Sequence, residues 1–380
     1  MRQYVYKKRF YCFIVEWIDR IGYLGKRLLS HFKKSSVRSE VKKVLVFKLD
    51  HIGDVFLATP AIKELKLKFP NARITVTVGS WARGVLEGNP WIDELISYDA
   101  YWHNRAKDRK FNIKETFHLI KSLRKERYDI FFDLRGDILA ILIGFLCRIP
   151  RRVGFGNTGG GFLLTDEFLV LPGRHQTEVL LNAVRNEKRE VEESRPEIFL
   201  SARDRRFADE FLLAHGFSPE DTLVGIHTGA GYFSKIWMPE RFAELIHRIS
   251  KRGLKVLLVG GNEDLETFET KRKGIQELVI GAIGKTTIKE TAALIERCRL
   301  FIGNDSFPVH MAAAMGVPTV VIFSAVNDSM RWAPKGEQVK VIKSKVPCEG
   351  CEKWKCDVGK KCLQLITVDK VFEQVIEFNF

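Results

Sequence analysis

The chain has 380 residues, 45% of them hydrophobic, with 62 Lys and Arg against 47 Asp and Glu for a net charge of +15. That length exceeds one typical domain of about 100–200 residues, and the apolar content suffices for two cores. The longest uninterrupted apolar run, Ile138 to Cys147, is 10 residues, about half of what a membrane-spanning helix needs, so a helical integral membrane protein is excluded.

The charge is concentrated at the amino end. Residues 1–43 hold 12 Lys and Arg against Glu16, Asp19 and Glu40, a net of +9. Met1 to Phe13 carries Lys7, Lys8 and Arg9, but Glu16, Asp19 and Arg20 interrupt the adjoining apolar stretch and no small-residue cleavage site is present. No export signal is read, and a cytoplasmic location is expected. Within residues 1–40, Phe10, Phe13, Ile14, Trp17, Ile18, Ile21, Leu24, Leu28, Leu29 and Phe32 recur at i, i+3, i+4 spacing. This predicts a basic amphipathic helix with one apolar stripe. Such an arm suits the inner face of an anionic membrane, where apolar burial and attraction to headgroups add. Packing on the chain's own domain is the second reading, and nucleic acid the least favoured.

From Val41 strands and helices alternate. Val44 to Leu49 reads as a buried strand, Thr59-Pro60 starts a helix to about Phe69, and Arg73 to Val78 is a second strand. Tyr128 to Leu134 and Arg151 to Phe155 extend the same sheet, with an apolar helix from Asp137 to Cys147 between them. Residues 41–195 form a first domain. A second series gives strands at Leu223 to Ile226, Leu254 to Val259, Leu278 to Ile280, Leu300 to Ile302 and Pro318 to Phe323. Helices run over Pro239 to Lys251 and Ile288 to Arg297. Alternation of this kind predicts a doubly wound parallel sheet in each domain. The second domain is set at 196–345, followed by 346–380, whose helix from Val368 to Phe378 is expected to cross back onto the first. Ligands of such sheets bind at the carboxyl ends of the strands, so two domains in tandem predict a cleft.

Two motifs are rejected. Gly154-Phe-Gly-Asn-Thr-Gly159 spells a dinucleotide fingerprint, but Gly160-Gly-Phe-Leu-Leu-Thr165 does not read as the helix that must receive a pyrophosphate. Gly284-Lys-Thr286 sits between strand and helix, yet a phosphate loop needs Gly where Val279 stands. The informative turn is Asp50-His-Ile-Gly-Asp54. Gly53 is expected to allow a tight bend that leaves Asp54 at the mouth of the cleft, where its carboxylate could take a proton from a sugar hydroxyl. A helix-capping role is equally compatible with the spacing.

Taken with the second half of the chain, Gly53-Asp54 and Ala58-Thr-Pro-Ala-Ile-Lys-Glu-Leu65 resemble the amino-terminal signature of glycosyltransferase family 9, the ADP-heptose:lipopolysaccharide heptosyltransferases. Three further segments agree. They are Ile226-His-Thr-Gly-Ala230 with Lys235-Ile-Trp237, Gly284-Lys-Thr-Thr287 with Ala292-Ala-Leu294, and Gly303-Asn-Asp305 with His310 and Gly316-Val-Pro-Thr319. The resemblance covers roughly residues 42–370. It implies a GT-B fold of two Rossmann-like domains and inverting transfer of a sugar from a nucleotide diphosphate to a lipid-linked saccharide. By the same resemblance Asp54 is the general base. Thr228, Gly229, Lys235, Asp305, Ser306 and His310 bind the donor, Lys235 holding phosphate, and Glu263 holds the ribose hydroxyls. No metal is implied for catalysis.

One departure stands out. The family has Asp-Thr-Gly where this chain has Asp305-Ser306-Phe307, which puts a large side chain where a glycine lets the backbone approach phosphate. Four of the seven cysteines cluster as Cys348, Cys351, Cys356 and Cys362. In a cytosolic chain that grouping suggests metal more than disulfides, although its gaps are not a standard zinc pattern, and the readings are a structural zinc or free or redox-active thiols. The cluster resembles a carboxyl-terminal cysteine motif of the family. The rival readings are a sugar-nucleotide epimerase of the same fold and a non-catalytic membrane-associated nucleotide-sugar-binding protein.

Overall fold

The structure is a computed structural model that describes residues 9–30, 40–103, 113–168, 170, 173–185, 195–264 and 275–378. The chain divides into two compact units, Met1–Ser194 and Arg195–Phe380. In the first, β1 (Lys43–Phe47), β2 (Arg73–Val78), β3 (Glu94–Ser97), β4 (Ile130–Asp133), β5 (Arg151–Phe155) and β6 (Asp166–Phe168) form one sheet in the order β3-β2-β1-β4-β5-β6. All its pairings are parallel, with Val44 opposite both Ile74 and Ile130. Helices cover both faces of a parallel sheet, which is why β1 is an unbroken apolar run with Val44, Leu45, Val46 and Phe47 all buried.

The second unit repeats the plan. Strands β7 (Leu223–His227), β8 (Lys255–Val259), β9 (Val279–Gly281), β10 (Leu300–Asn304), β11 (Thr319–Ile322) and β12 (Val339–Ile342) pair in parallel in the order β12-β11-β10-β7-β8-β9. In each sheet the winding reverses beside the first strand, between β1 and β4 and between β7 and β10. A crevice opens at such a switch point. Local chemistry sets the helix starts. Asp137 caps Ile138–Leu146, Thr287 and Glu290 make a reciprocal cap for Ile288–Glu296, and a proline sits in the first turn of Thr59–Lys68, Pro239–Ser250 and Phe307–Ala314.

The amino-terminal helix Arg9–Ser30 docks on the first unit by a polar edge. Asp19 is buried and accepts the Gly160 N–H at 2.8 Å, while the Tyr23 hydroxyl donates to Glu167 at 2.6 Å and its ring meets Phe162 edge-on. The apolar stripe faces outward instead, with Phe13, Trp17, Ile21, Leu24 and Leu28 each more than half exposed. The rest of the basic arm expected over residues 1–40, namely 1–8 and 31–39, lies outside the described residues. Among the described residues no helix is long and apolar enough to cross a membrane.

The last helix is Val368–Ile376, and its stripe of Val368, Val371 and Val375 joins Trp237, Phe242 and Leu245 in the second unit's own core, while Arg248 pairs with Asp369 at 2.6 Å. One expectation is corrected, for Gly53 makes no tight bend. It lies in the helix Ile52–Phe56 without a positive φ, so Asp54 occupies that helix's first turn and the amino-terminal cap is His51.

Candidate active site

At the carboxyl end of β1 the chain turns over a buried, charge-balanced base. Lys48, almost wholly buried, places its ammonium 2.9 Å from Asp50 and donates to the Leu134 carbonyl at 3.0 Å. Arg135 lies 3.8 Å from the other Asp50 oxygen and donates to the Leu49 carbonyl. Burial pushes the Asp50 carboxyl up, but the Lys48 and Arg135 charges and the hydrogen bonds from Lys48 and the His51 N–H outweigh it. The group is held below the usual carboxylate range. The Trp81 indole donates to the Asp50 carbonyl and stacks on His103, whose ring meets His51. The turn that delivers Asp54 is thus fixed from below. Asp54 itself lies in the first turn of Ile52–Phe56.

Asp50, His51 and His103 bring ligand atoms within 4.8 Å of one another, the one such set found among the described residues. Asp50 already carries two cations, which argues against a further one. Beneath the turn, Asp133 is fully buried. Burial first and the Asp137 charge second raise its carboxyl to about 7, against N–H groups of Arg135 and Asp137 that favour the ionised form.

In the second unit, the predicted donor residues gather where β7, β8 and β10 end. Asn304, wholly buried, ties them. Its amide donates to the carbonyls of Thr228 at 2.7 Å and Gly229 at 3.1 Å, and its oxygen accepts the Trp237 N–H at 3.0 Å. That anchors the short turn Phe233–Lys235, whose Lys235 ammonium sits 2.8 Å from Asp305. The Asn327 amide donates to the same Asp305 oxygen. Ser306, at the amino end of Phe307–Ala314, does not cap its helix. Its hydroxyl meets His227 Nδ1 at 2.9 Å and donates to the Asn304 carbonyl at 3.0 Å. A helix amino end beside a lysine favours an anion.

The sequence-predicted set is only partly assembled. Thr228, Gly229, Lys235, Asp305 and Ser306 share one hydrogen-bonded cluster, and His310 is buried on the following turn. Glu263 is exposed after β8, and its neighbour Asp264 is the residue tied in, reaching His227 Nε2 at 3.2 Å and accepting the Gly261 N–H at 2.9 Å. The sequence places Asn304 in the loop leading to an anion-favouring helix end but assigns no role to His227 or Asp264. For His227 and Asn304 the signal is a polar side chain at the end of an otherwise apolar strand. Phe307 is resolved by packing. Its ring lies against the second unit's core, and its φ is not in the left-handed region, so no glycine is required there. Of the four clustered cysteines, Cys348 is exposed, Cys351 and Cys356 are half-buried and Cys362 is buried against the second unit's core, where burial first and then the neighbouring Cys348 and Cys356 raise its thiol.

With this geometry in place, known proteins supply the comparison. The family model described as glycosyltransferase family 9 (heptosyltransferase) matches residues 116–362. The chain belongs to glycosyltransferase family 9. It is 30% identical over 294 residues to lipopolysaccharide heptosyltransferase 3 of Escherichia coli, across 74% of this chain and 83% of that one. Among solved structures, a family 9 glycosyl transferase from Veillonella parvula superposes with a TM-score of 0.78 at 24% identity, covering 90% of this chain and 98% of that one. The E. coli ADP-heptose lps heptosyltransferase II gives 0.72 at 22%, covering 88% and 98%. The fold is GT-B, two Rossmann-like units, and the family 9 chain is a glycosyltransferase.

Proposed function

We propose that this family 9 enzyme transfers a heptose from ADP-heptose to a hydroxyl of a lipopolysaccharide core, with inversion at the anomeric carbon. The observation that carries the reading is the Lys235–Asp305–Ser306 cluster at the amino end of Phe307–Ala314, where a lysine and a helix dipole together favour a diphosphate. The heptosyltransferase names of the relatives support the sugar and the acceptor. In a single displacement the acceptor oxygen bonds to the anomeric carbon as the bond to the diphosphate oxygen breaks. Asp54 takes the acceptor proton, and Lys235 with the helix N–H groups receives the charge that develops on the departing ADP. Charge neutralisation of that kind needs no metal.

The finer reading places the enzyme on the inner face of the cytoplasmic membrane, held by the helix Arg9–Ser30, with its apolar stripe outward and Arg20 and Arg27 beside it. Each cation near an anionic surface contributes about 1 kcal/mol. Deleting residues 1–40 should release the protein from anionic vesicles while ADP binding persists, because that binding belongs to the second unit. Sedimentation of the truncated protein with the vesicles, or of neither form, would remove the membrane assignment.

A further inference from the structure

The cysteine-bearing segment after β12 has no part in the chemistry above, yet it grips both loops that hold the donor-phosphate pair. On one side, the Trp354 carbonyl accepts the Ser234 N–H at 3.2 Å, the Lys353 carbonyl accepts the Ser234 hydroxyl, and the Trp354 ring lies 5.1 Å from Tyr232. Lys360 donates to the Ile236 carbonyl at 3.1 Å and sits 4.0 Å over the Phe233 ring. These contacts bracket Lys235. On the other side, the Gly350 and Glu352 N–H groups donate to the carbonyls of Ala325 and Val326, at 2.8 and 3.0 Å. The next residue, Asn327, holds Asp305. One strap therefore spans the two partners of a single ion pair.

The strap is shaped by its own residues. Glu352 and Lys360 adopt left-handed backbone, a conformation that is strained for a non-glycine residue and persists only where surrounding contacts impose it. Cys356 accepts the Lys360 N–H at 3.2 Å, so a thiol helps hold the turn from which Lys360 reaches Ile236. Cys351 is half-buried between the two grips, whereas Cys348 stands exposed at the strap's outer edge.

We infer that this strap, residues 346–366, is a positioning element for the donor diphosphate, and that the chemical state of Cys351 and Cys356 sets donor affinity. The inference rests on the donor reading of Lys235 and Asp305. Anything that swells or repels these thiols moves the strap off Ser234 and Ile236 and loosens the Lys235–Asp305 geometry. Coupling is reciprocal, so bound ADP must in turn hold the strap closed.

The test uses the full chain and iodoacetamide, whose carbon forms the S–C bond as iodide leaves and the thiol proton passes to solvent. Labelling at Cys351 and Cys356, located by mass spectrometry, should weaken ADP binding at least several-fold in calorimetry. ADP should slow labelling of both but not of Cys348. Independently, Lys360→Met keeps the stem on Phe233 but removes the amine. It should raise KM for the donor with kcat at saturating donor nearly unchanged, and Lys360→Arg should restore KM. Complete labelling with unchanged ADP affinity, or Lys360→Met with an unchanged KM, overturns the inference. Failure of the unlabelled wild type to bind ADP at all would instead overturn the donor reading beneath it.

Discussion

Replacing Lys235 by alanine probes the donor site at the contact where the most charge is concentrated. The ammonium is 2.8 Å from Asp305, with the two side chains 13% and 4% exposed, so both operate largely out of water. A charge-assisted contact to a phosphate oxygen in such a place is worth about 1.5–3 kcal/mol. At 1.4 kcal/mol per factor of ten, its loss weakens ADP binding about 10- to 150-fold. The upper end is expected, since Lys235→Ala also leaves the Asp305 carboxylate facing the diphosphate with only the Asn327 amide to balance it. Calorimetric titration with ADP measures the effect, with thermal unfolding to show that the variant is folded. The double variant Lys235→Ala/Asp305→Asn should recover part of the loss, because residues in contact do not act additively. An ADP affinity within twofold of wild type in a folded Lys235→Ala protein would refute the reasoning.

Asp54→Asn should lower kcat by about 10²–10⁴ while leaving ADP affinity nearly unchanged, as loss of a general base in the other unit would; wild-type turnover removes the assignment. Lys48→Met should cost about 3 kcal/mol in denaturant unfolding, since it strands the buried Asp50 carboxylate with Arg135 alone, and a loss under 1 kcal/mol would contradict the charge-balanced base. Asp133 titrates near 7 folded and near 3.8 unfolded, so the folded state binds its proton more tightly and that contribution to stability is lost as pH rises towards 7. Measured by urea unfolding, Asp133→Asn should therefore gain on wild type by about 1–2 kcal/mol between pH 5.5 and 8; a pH-independent difference would show that Asp133 does not titrate there.

Much of this architecture is legible in the chain because buried parallel strands announce themselves as continuous apolar runs. Arg73–Val78 and Arg151–Phe155 coincide with the sequence reading, and the apolar stretch after Asp137 is the helix Ile138–Leu146. Edge strands are not so marked. Glu94–Ser97, Asp166–Phe168 and Val339–Ile342 are short, mostly half-buried and interrupted by polar residues, so no continuous apolar run marks them as strands. The last helix escapes placement for a different reason: an apolar stripe says that a helix must pack, not on what. The same ambiguity holds for the amino-terminal helix, where the buried anchor is the acidic Asp19 and the apolar residues point away.

At the donor site, the resemblance to the family picks out Lys235 and Asp305, and the turn after β7 and the end of β10 bring the two to 2.8 Å. The resemblance does not reveal what Asn304 or His227 holds, since their importance lies in hydrogen bonds to backbone carbonyls and to Ser306 that no spacing encodes. Nor does it separate Glu263 from Asp264, since one residue's rotation around a turn decides which carboxylate faces inward. Phe307 reads in the sequence as an obstruction at the phosphate, and its half-buried side chain packs against the second unit's core.

The central claim is that a sugar passes in one inverting step from the nucleotide held in the second unit to a lipid-linked hydroxyl deprotonated by Asp54. Incubation of the full chain with ADP-heptose labelled in the sugar and a heptose-deficient lipopolysaccharide acceptor tests it most directly. Inverting transfer puts label in the lipid fraction, releases one ADP per sugar transferred, and gives the product the opposite anomeric configuration. Label that stays on the nucleotide, or product with the donor's configuration retained, would contradict it.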